Sequence, residues 1–129
     1  MFCGTGSDVG KSVIATAVCR IFKQDGMHPA PFKAQNMAPF YHLTADGKRV
    51  ARAQGVQAEA AGIELSTDMN PLLLIPTGEK SSEVIVEGES IGIKTAMQLY
   101  AEEDRNYLRS CIQKAYNHLA KQYDPIVIE

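Results

Sequence analysis

The sequence predicts an α/β fold, a three-layer arrangement around a mostly parallel sheet, and three observations predict it. A glycine-rich stretch, Gly4-Thr5-Gly6-Ser7-Asp8-Val9-Gly10-Lys11-Ser12, stands between a short apolar run, Phe2-Cys3, and a helix-like segment. β-like and helix-like segments then alternate along the chain. An apolar run that reads as a strand stands at each end, the pattern of crossover units that pair strands in parallel.

Each element has its own signal. Val13, Ile14, Ala17, Val18, Ile21 and Phe22 recur at helical spacing, so a first helix should run from about Gly10 to Lys23 and stop at Asp25-Gly26, where glycine supplies a left-handed cap. Ala30 to Lys33 reads as extended, although Pro29 and Pro31 argue against a regular central strand. Gln35 to Gly47 reads as a polar, proline-containing connection that ends in the turn signal Asp46-Gly47. Lys48 to Ala61 favours helix by composition, with Val50, Ala53, Gln57 and Ala61 on one side and Gly62 as a cap. Leu72-Leu73-Leu74-Ile75 and Val84-Ile85-Val86 are β-like runs. Thr95 to Gln122 is the longest helix candidate, and its stripe of Leu108, Ile112, Ala115 and Leu119 is expected in the core. Pro125-Ile126-Val127-Ile128-Glu129 reads as a buried strand.

The glycine-rich stretch carries chemistry. Glycines let the backbone turn tightly with N–H groups facing inward, the following helix aims its positive end at the same point, and a lysine adds a mobile charge. The fold class is therefore a P-loop nucleotide-binding fold, with ATP as the expected ligand. Gly6, Ser7, Asp8, Val9, Gly10, Lys11 and Ser12 are the expected phosphate-binding residues, and Ser12 is expected to hold Mg²⁺ through its hydroxyl. Gly4 lies six residues before Gly10, one more than in the commonest loop, so the loop is a variant. In a parallel fold the loop, Lys33 and Glu129 should project from the carboxyl ends of the strands, where ligands bind.

Bulk composition narrows the field. The 129 residues are 45% hydrophobic and 22% charged, as in one soluble domain, and a formal net charge of −2 builds in no general attraction to nucleic acid or an anionic membrane. No apolar run approaches the roughly 20 residues that span a bilayer, and no secretory leader precedes the loop, so a cytoplasmic protein is expected. Cys3, Cys19 and Cys111 show no CxxC spacing and are expected as buried, reduced thiols. His28, His42 and His118 lack metal-ligand spacing. The first strand is short and the last run stops while still apolar, which suggests an incomplete domain whose open sheet edge would favour self-association.

Several separate stretches resemble one family. Gly4 to Ser12, Pro31-Phe32-Lys33-Ala34-Gln35-Asn36-Met37, Arg52-Ala53-Gln54-Gly55-Val56-Gln57-Ala58-Glu59-Ala60-Ala61-Gly62 and Met69-Asn70-Pro71-Leu72-Leu73-Leu74 together look like the amino-terminal part of the cobyric acid synthases. The loop alone indicates only the wider dethiobiotin synthetase-like group of P-loop enzymes. The resemblance implies ATP-dependent, glutamine-using amidation of corrin carboxylates, on adenosylcobyrinic acid a,c-diamide, in cobalamin biosynthesis. It implies that a carboxylate is first phosphorylated, a reaction that needs charge neutralisation and in-line positioning more than acid–base groups.

The same resemblance assigns Lys11 and Lys33 to catalysis, Lys33 as neutraliser of charge shared between γ-phosphate and acceptor. Glu129, at the end of an apolar strand, joins Ser12 as an expected Mg²⁺ ligand, with a frayed terminal residue as the competing reading. Gln35, Asn36, Gln54, Gln57 and Asn70 are candidates for hydrogen bonds to substrate, with capping and turn roles competing. Asp8 and Glu59 are further carboxylates that could face metal or substrate; Asp8 is equally well read as a turn-former, and Glu59 is read more readily as a solvated helix residue. Ile75 departs from the family pattern, which usually carries lysine before that proline. The glutaminase domain that family members carry is expected in the full-length chain, because none of the three cysteines has a matching context. A homodimer is left open. Two other readings stay in view: a free-standing ligase of the dethiobiotin synthetase type, and a MinD/ParA-like ATPase switch. The switch class usually places a lysine five residues before the loop lysine, where this chain has Gly6.

Overall fold

The computed structural model describes residues 1–7 and 9–129. Asp8, expected in the phosphate loop, lies outside the described residues. The loop leads into α1 (Lys11–Gln24), after which one extended segment forms β1 (Ala30–Phe32) and β2 (Gln35–Met37), broken at Lys33-Ala34. There follow β3 (Tyr41–Leu43), β4 (Arg49–Ala51), α2 (Arg52–Ala61), a 3₁₀ turn at Thr67–Met69, β5 (Leu72–Pro76), β6 (Ser81–Val86) and β7 (Glu89–Thr95). The short helix α3 (Ala96–Leu99), the long helix α4 (Glu102–Leu119) and β8 (Ile126–Ile128) complete the order.

Two parallel pairings organise the site. β1 pairs with β8, Pro31 opposite Val127, and β2 pairs with β5, Asn36 opposite Leu73. The Phe2 N–H donates to the Ile128 carbonyl at 2.8 Å, but residues 1–4 form no strand, so the strand expected before the loop is reduced to this contact at the free edge of β8. Pro31 fits this strand because N–H groups alternate sides: Ala30 donates to the Pro125 carbonyl at 3.1 Å, whereas the next N–H facing the other edge is that of Lys33, which donates to Met69 at 2.9 Å. The break after Phe32 thus hands the chain from one sheet to the next.

Layering follows from alternation along these short strands. Ala30 and Phe32 pack with Met69, Ala58, Ala115 and Leu119, so α4 covers one face. Val127 points the other way, into a cluster with Ala15, Cys19 and Ala61 that joins α1 and α2. A sheet buried on both faces is the expected three-layer arrangement.

The second sheet adds pairings of the other sense. β5, β6 and β7 form an antiparallel meander, since Thr77–Lys80 and Glu87-Gly88 are far too short for a crossover. Glu87 (φ 49°) and Gly88 (φ 86°) both take left-handed backbone, the conformation of a tight hairpin turn. Among the residues of β7 only Lys94 is even half-buried, so the strand has no apolar face that the sequence could advertise.

Three boundaries differ from expectation. The Gln35–Gly47 connection contains β2 and β3, and Arg49–Ala51 pairs antiparallel with β3, so α2 starts at Arg52 instead of Lys48. The long helix is split. Thr95 and Gln98 close a reciprocal capping box that starts α3, the chain turns at Tyr100-Ala101, and Glu102, Glu103 and Asp104 open α4 with negative charge at its positive end. Cys3 is exposed, contrary to expectation, because Phe2 is the last residue of its segment tied to β8; Cys19 and Cys111 are buried. Burial pushes the Cys19 thiol up to about 11, so that thiol stays protonated and inert.

Candidate phosphate and carboxylate site

The loop is built for a tight approach. Gly10 takes φ 91°, a backbone that side chains disfavour, and from it α1 begins. A Cβ on Gly4 would sit 2.9 Å from Val9 Cγ2 and 3.0 Å from Lys11 Cδ, so any larger residue there would push these two side chains aside. The helix has no side-chain cap, and its first internal bond runs from Ile14 N–H to the Gly10 carbonyl at 3.1 Å. The N–H groups of Lys11, Ser12 and Val13 find no acceptor among the described residues, and they stand at the positive end of the helix. Lys11 Nζ donates to the Gly6 carbonyl at 2.5 Å. Gly6, Ser7 and Val9 are exposed in the loop, which borders a cleft of about 450 Å³ together with Phe2 and Cys3.

Glu129 stands at the centre of the second half of the site. Its N–H donates to the Phe32 carbonyl at 3.0 Å, which holds the end of β8 against β1 and directs the side chain beneath α1. The carboxylate is 2% exposed, and three donors meet it. Ser12 Oγ donates to Oε1 at 2.7 Å, Lys33 Nζ to the same oxygen at 2.9 Å, and Gln57 Nε2 to Oε2 at 2.9 Å. Burial pushes this carboxyl up, but the bonds from Lys33, Ser12 and Gln57 and the Lys33 charge outweigh it, so the group sits below its ordinary 4.5 and is ionised at neutral pH.

The polar candidates fall into three groups. Gln54 and Gln57 are completely buried on α2, and with Asn36 they form a line of amides: Asn36 Nδ2 donates to Gln54 Oε1 at 3.0 Å, and Gln54 Nε2 to Gln57 Oε1 at 3.4 Å. Asn70 is spent on backbone, donating to the carbonyls of Lys33 (3.1 Å) and Leu72 (2.9 Å) and accepting from Ala51 N–H (3.2 Å). It thereby clamps the break between β1 and β2. Gln35 is the outermost, its amide on the Tyr100 hydroxyl at 3.1 Å. Tyr100 had no signal in the sequence, since it lies in the turn that splits the expected helix. Glu59 is exposed on α2. Ile75 is half-buried beside Ala51, Leu73 and Ile85, so at this register the position faces an apolar cluster.

The donor set suits a nucleotide and its cation. Free N–H groups with an ammonium fit phosphate oxygens, and a hydroxyl beside a carboxylate offers the hard oxygens that a hydrated Mg²⁺ accepts alongside phosphate. Among the described residues no helix is long and apolar enough to cross a membrane.

The chain is 55% identical to the cobyric acid synthase of Phocaeicola vulgatus over 129 residues, 100% of this chain and 26% of that protein. It is 54% identical to that of Bacteroides fragilis over the same span and 49% identical to that of Salmonella gallinarum over 130 residues. The chain therefore spans about a quarter of the length of these relatives. No solved structure matches it. The family model described as the CobQ/CobB/MinD/ParA nucleotide binding domain matches residues 1–125, and the chain belongs to that family.

Proposed function

We propose that this chain is the ATP-binding portion of a cobyric acid synthase, and that it activates side-chain carboxylates of adenosylcobyrinic acid a,c-diamide for amidation in cobalamin biosynthesis. The observation that carries the reading is the meeting of Ser12 and Lys33 on one oxygen of Glu129, which joins the phosphate loop to the end of β1. The high identity to cobyric acid synthases along the whole chain favours this acceptor over that of a dethiobiotin synthetase-type ligase.

ATP supplies the γ-phosphoryl group that turns a carboxylate into an acyl phosphate, from which ammonia displaces phosphate. The loop N–H groups of Gly6, Ser7, Val9 and Gly10 and the start of α1 hold the phosphates, with Asp8 part of the same loop. Lys11 exchanges the Gly6 carbonyl for phosphate oxygens, and Ser12 and Glu129 hold Mg²⁺. Lys33, whose Nζ lies on the carboxylate that would hold the cation, would neutralise charge between phosphate and acceptor, the contribution such transfers need most. Ammonia comes from glutamine in a glutaminase domain elsewhere in the protein, which works in the cytoplasm.

Calorimetric titration with Mg-ATP, with and without cobyrinic acid a,c-diamide, tests the reading. Binding of both ligands supports it. Lys11→Ala should abolish ATP binding, whereas Lys33→Ala in the full-length protein should keep most binding and lose transfer. Unchanged turnover in either variant defeats the assignment, and nucleotide-dependent dimerisation without any acceptor would favour the ATPase-switch reading instead.

A further inference from the structure

The amides of Asn36, Gln54 and Gln57 lead from β2, through the interior of α2, to the carboxylate at the phosphate loop. All three are buried, and Gln54 and Gln57 have no exposed surface at all. Burying an amide is costly unless its donors and acceptors are matched, so three in a row mark a place where packing has been given up for orientation. The direction of the line is set at one end. An ionised carboxylate only accepts, so Gln57 must present its NH₂ to Glu129 Oε2; its carbonyl is then left to accept from Gln54, whose carbonyl accepts from Asn36. Each bond fixes the rotation of the next amide.

The consequence falls on the other oxygen of Glu129. With Oε2 anchored by Gln57, Oε1 is held toward Ser12 Oγ and Lys33 Nζ, the side on which a cation beside the phosphate loop would stand. Gln57 also reaches back to the Ser12 carbonyl at 3.5 Å, so one amide spans the two residues that flank the cation position. We propose that Asn36, Gln54 and Gln57 are positioning residues that orient the Glu129 carboxylate for Mg²⁺, and that they do not contact the acceptor. The proposal rests on the reading that Ser12 and Glu129 hold the cation.

Mg²⁺ binding to the full-length protein at saturating ATP tests this, beside ATP binding in excess EDTA. Gln57→Met keeps the length of the side chain and removes both hydrogen-bonding groups. It should weaken Mg²⁺ by about tenfold or more, as the loss of a group that orients a metal ligand does, and leave metal-free ATP affinity within about twofold. Asn36→Ser, at the far end of the line, should shift Mg²⁺ the same way by less. Gln57→Glu replaces the donor by a second carboxylate; weaker Mg²⁺ binding than in Gln57→Met supports positioning by donation, and tighter binding overturns it by placing position 57 on the metal. Unchanged Mg²⁺ affinity in a folded Gln57→Met protein overturns the proposal, as does an equal loss of metal-free and metal-dependent affinity. If Gln57→Met unfolds, Asn36→Ser decides, and unfolding of both overturns it because the line then serves only the core. Failure of the unsubstituted protein to bind ATP, by contrast, overturns the functional reading itself.

Discussion

Helices α2 and α4 both pack on the parallel strands, yet they are buried by opposite rules. α4 follows the apolar stripe: Leu108, Ala115 and Leu119 are inside, and the polar residues face out. α2 buries Gln54 and Gln57 with Gly55, Ala58 and Ala61, and leaves Val56 41% exposed. The difference is what each helix faces. α4 meets Phe32, Leu72 and Leu74, so apolar contact suffices. One side of α2 meets an ionised carboxylate and an asparagine, and only groups that can donate and accept can lie there. Gly55 is part of the same economy of space, since a Cβ would come 2.3 Å from His42 Nδ1. A helix whose buried side is polar is thus a pointer to chemistry, and one whose buried side is apolar is a pointer to stability.

The contrast can be broken most forcefully on α4. Leu119→Ala, at a position 1% exposed, should cost about 2–5 kcal/mol in urea unfolding, while ATP affinity of the folded fraction stays unchanged. A cost under about 1 kcal/mol would mean that α4 does not close the core in the way its burial indicates.

A smaller effect is expected on α2. Gln54→Leu leaves Asn36 Nδ2 and Gln57 Oε1 without their partner and should cost about 1–3 kcal/mol, even though it adds an apolar side chain to a buried position. If the variant is more stable than the parent protein, the amide line is not satisfied in the way the distances state.

The smallest effect belongs to the acid limb of stability. Glu129 has a folded-state pKa below its ordinary value, so near and below pH 4.5 the unfolded chain binds more protons, and stability falls with pH. The contribution is complete above the ordinary value and disappears as pH drops through the depressed one. Lys33→Ala removes one bond and the opposing charge, leaving burial to act against Ser12 and Gln57 alone, so acid loss should begin at a higher pH. Identical acid unfolding profiles for the two proteins would show that the ion pair contributes nothing to the fold.

The legible parts of the molecule are those written in local sequence. The helical period from Val13 to Phe22 marked α1, Gly26 and Gly62 marked helix ends, and the Leu72–Ile75 run marked β5. The less legible parts depend on partners distant in the chain. Arg49–Ala51 runs directly into α2 and becomes a strand because β3 is there to receive it. β7 carries Gly92 and an exposed Ile93, so its periodicity is weak and its pairing with β6 defines it. Within the site, Lys11 and Ser12 belong to a nine-residue motif, Gly4 to Ser12, that can be read directly. Gln54 and Gln57 stand at the same i, i+3 spacing as any helix pair, and nothing local says whether such a pair faces water, a ligand or a carboxylate.

By itself, the sequence determined the α/β class, the glycine-rich turn into α1 and the family, because glycine conformations, hydrophobic period and residue identity act over a few neighbours. Only the tertiary structure decided that Ser12, Lys33, Gln57 and Glu129 share one carboxylate, across separations of 117, 96 and 72 residues from Glu129. Those contacts follow from the parallel pairing of β1 with β8, which brings the carboxyl ends of two strands together at the start of a helix, and hydrogen bonds of 2.7–2.9 Å exist only where that pairing has closed.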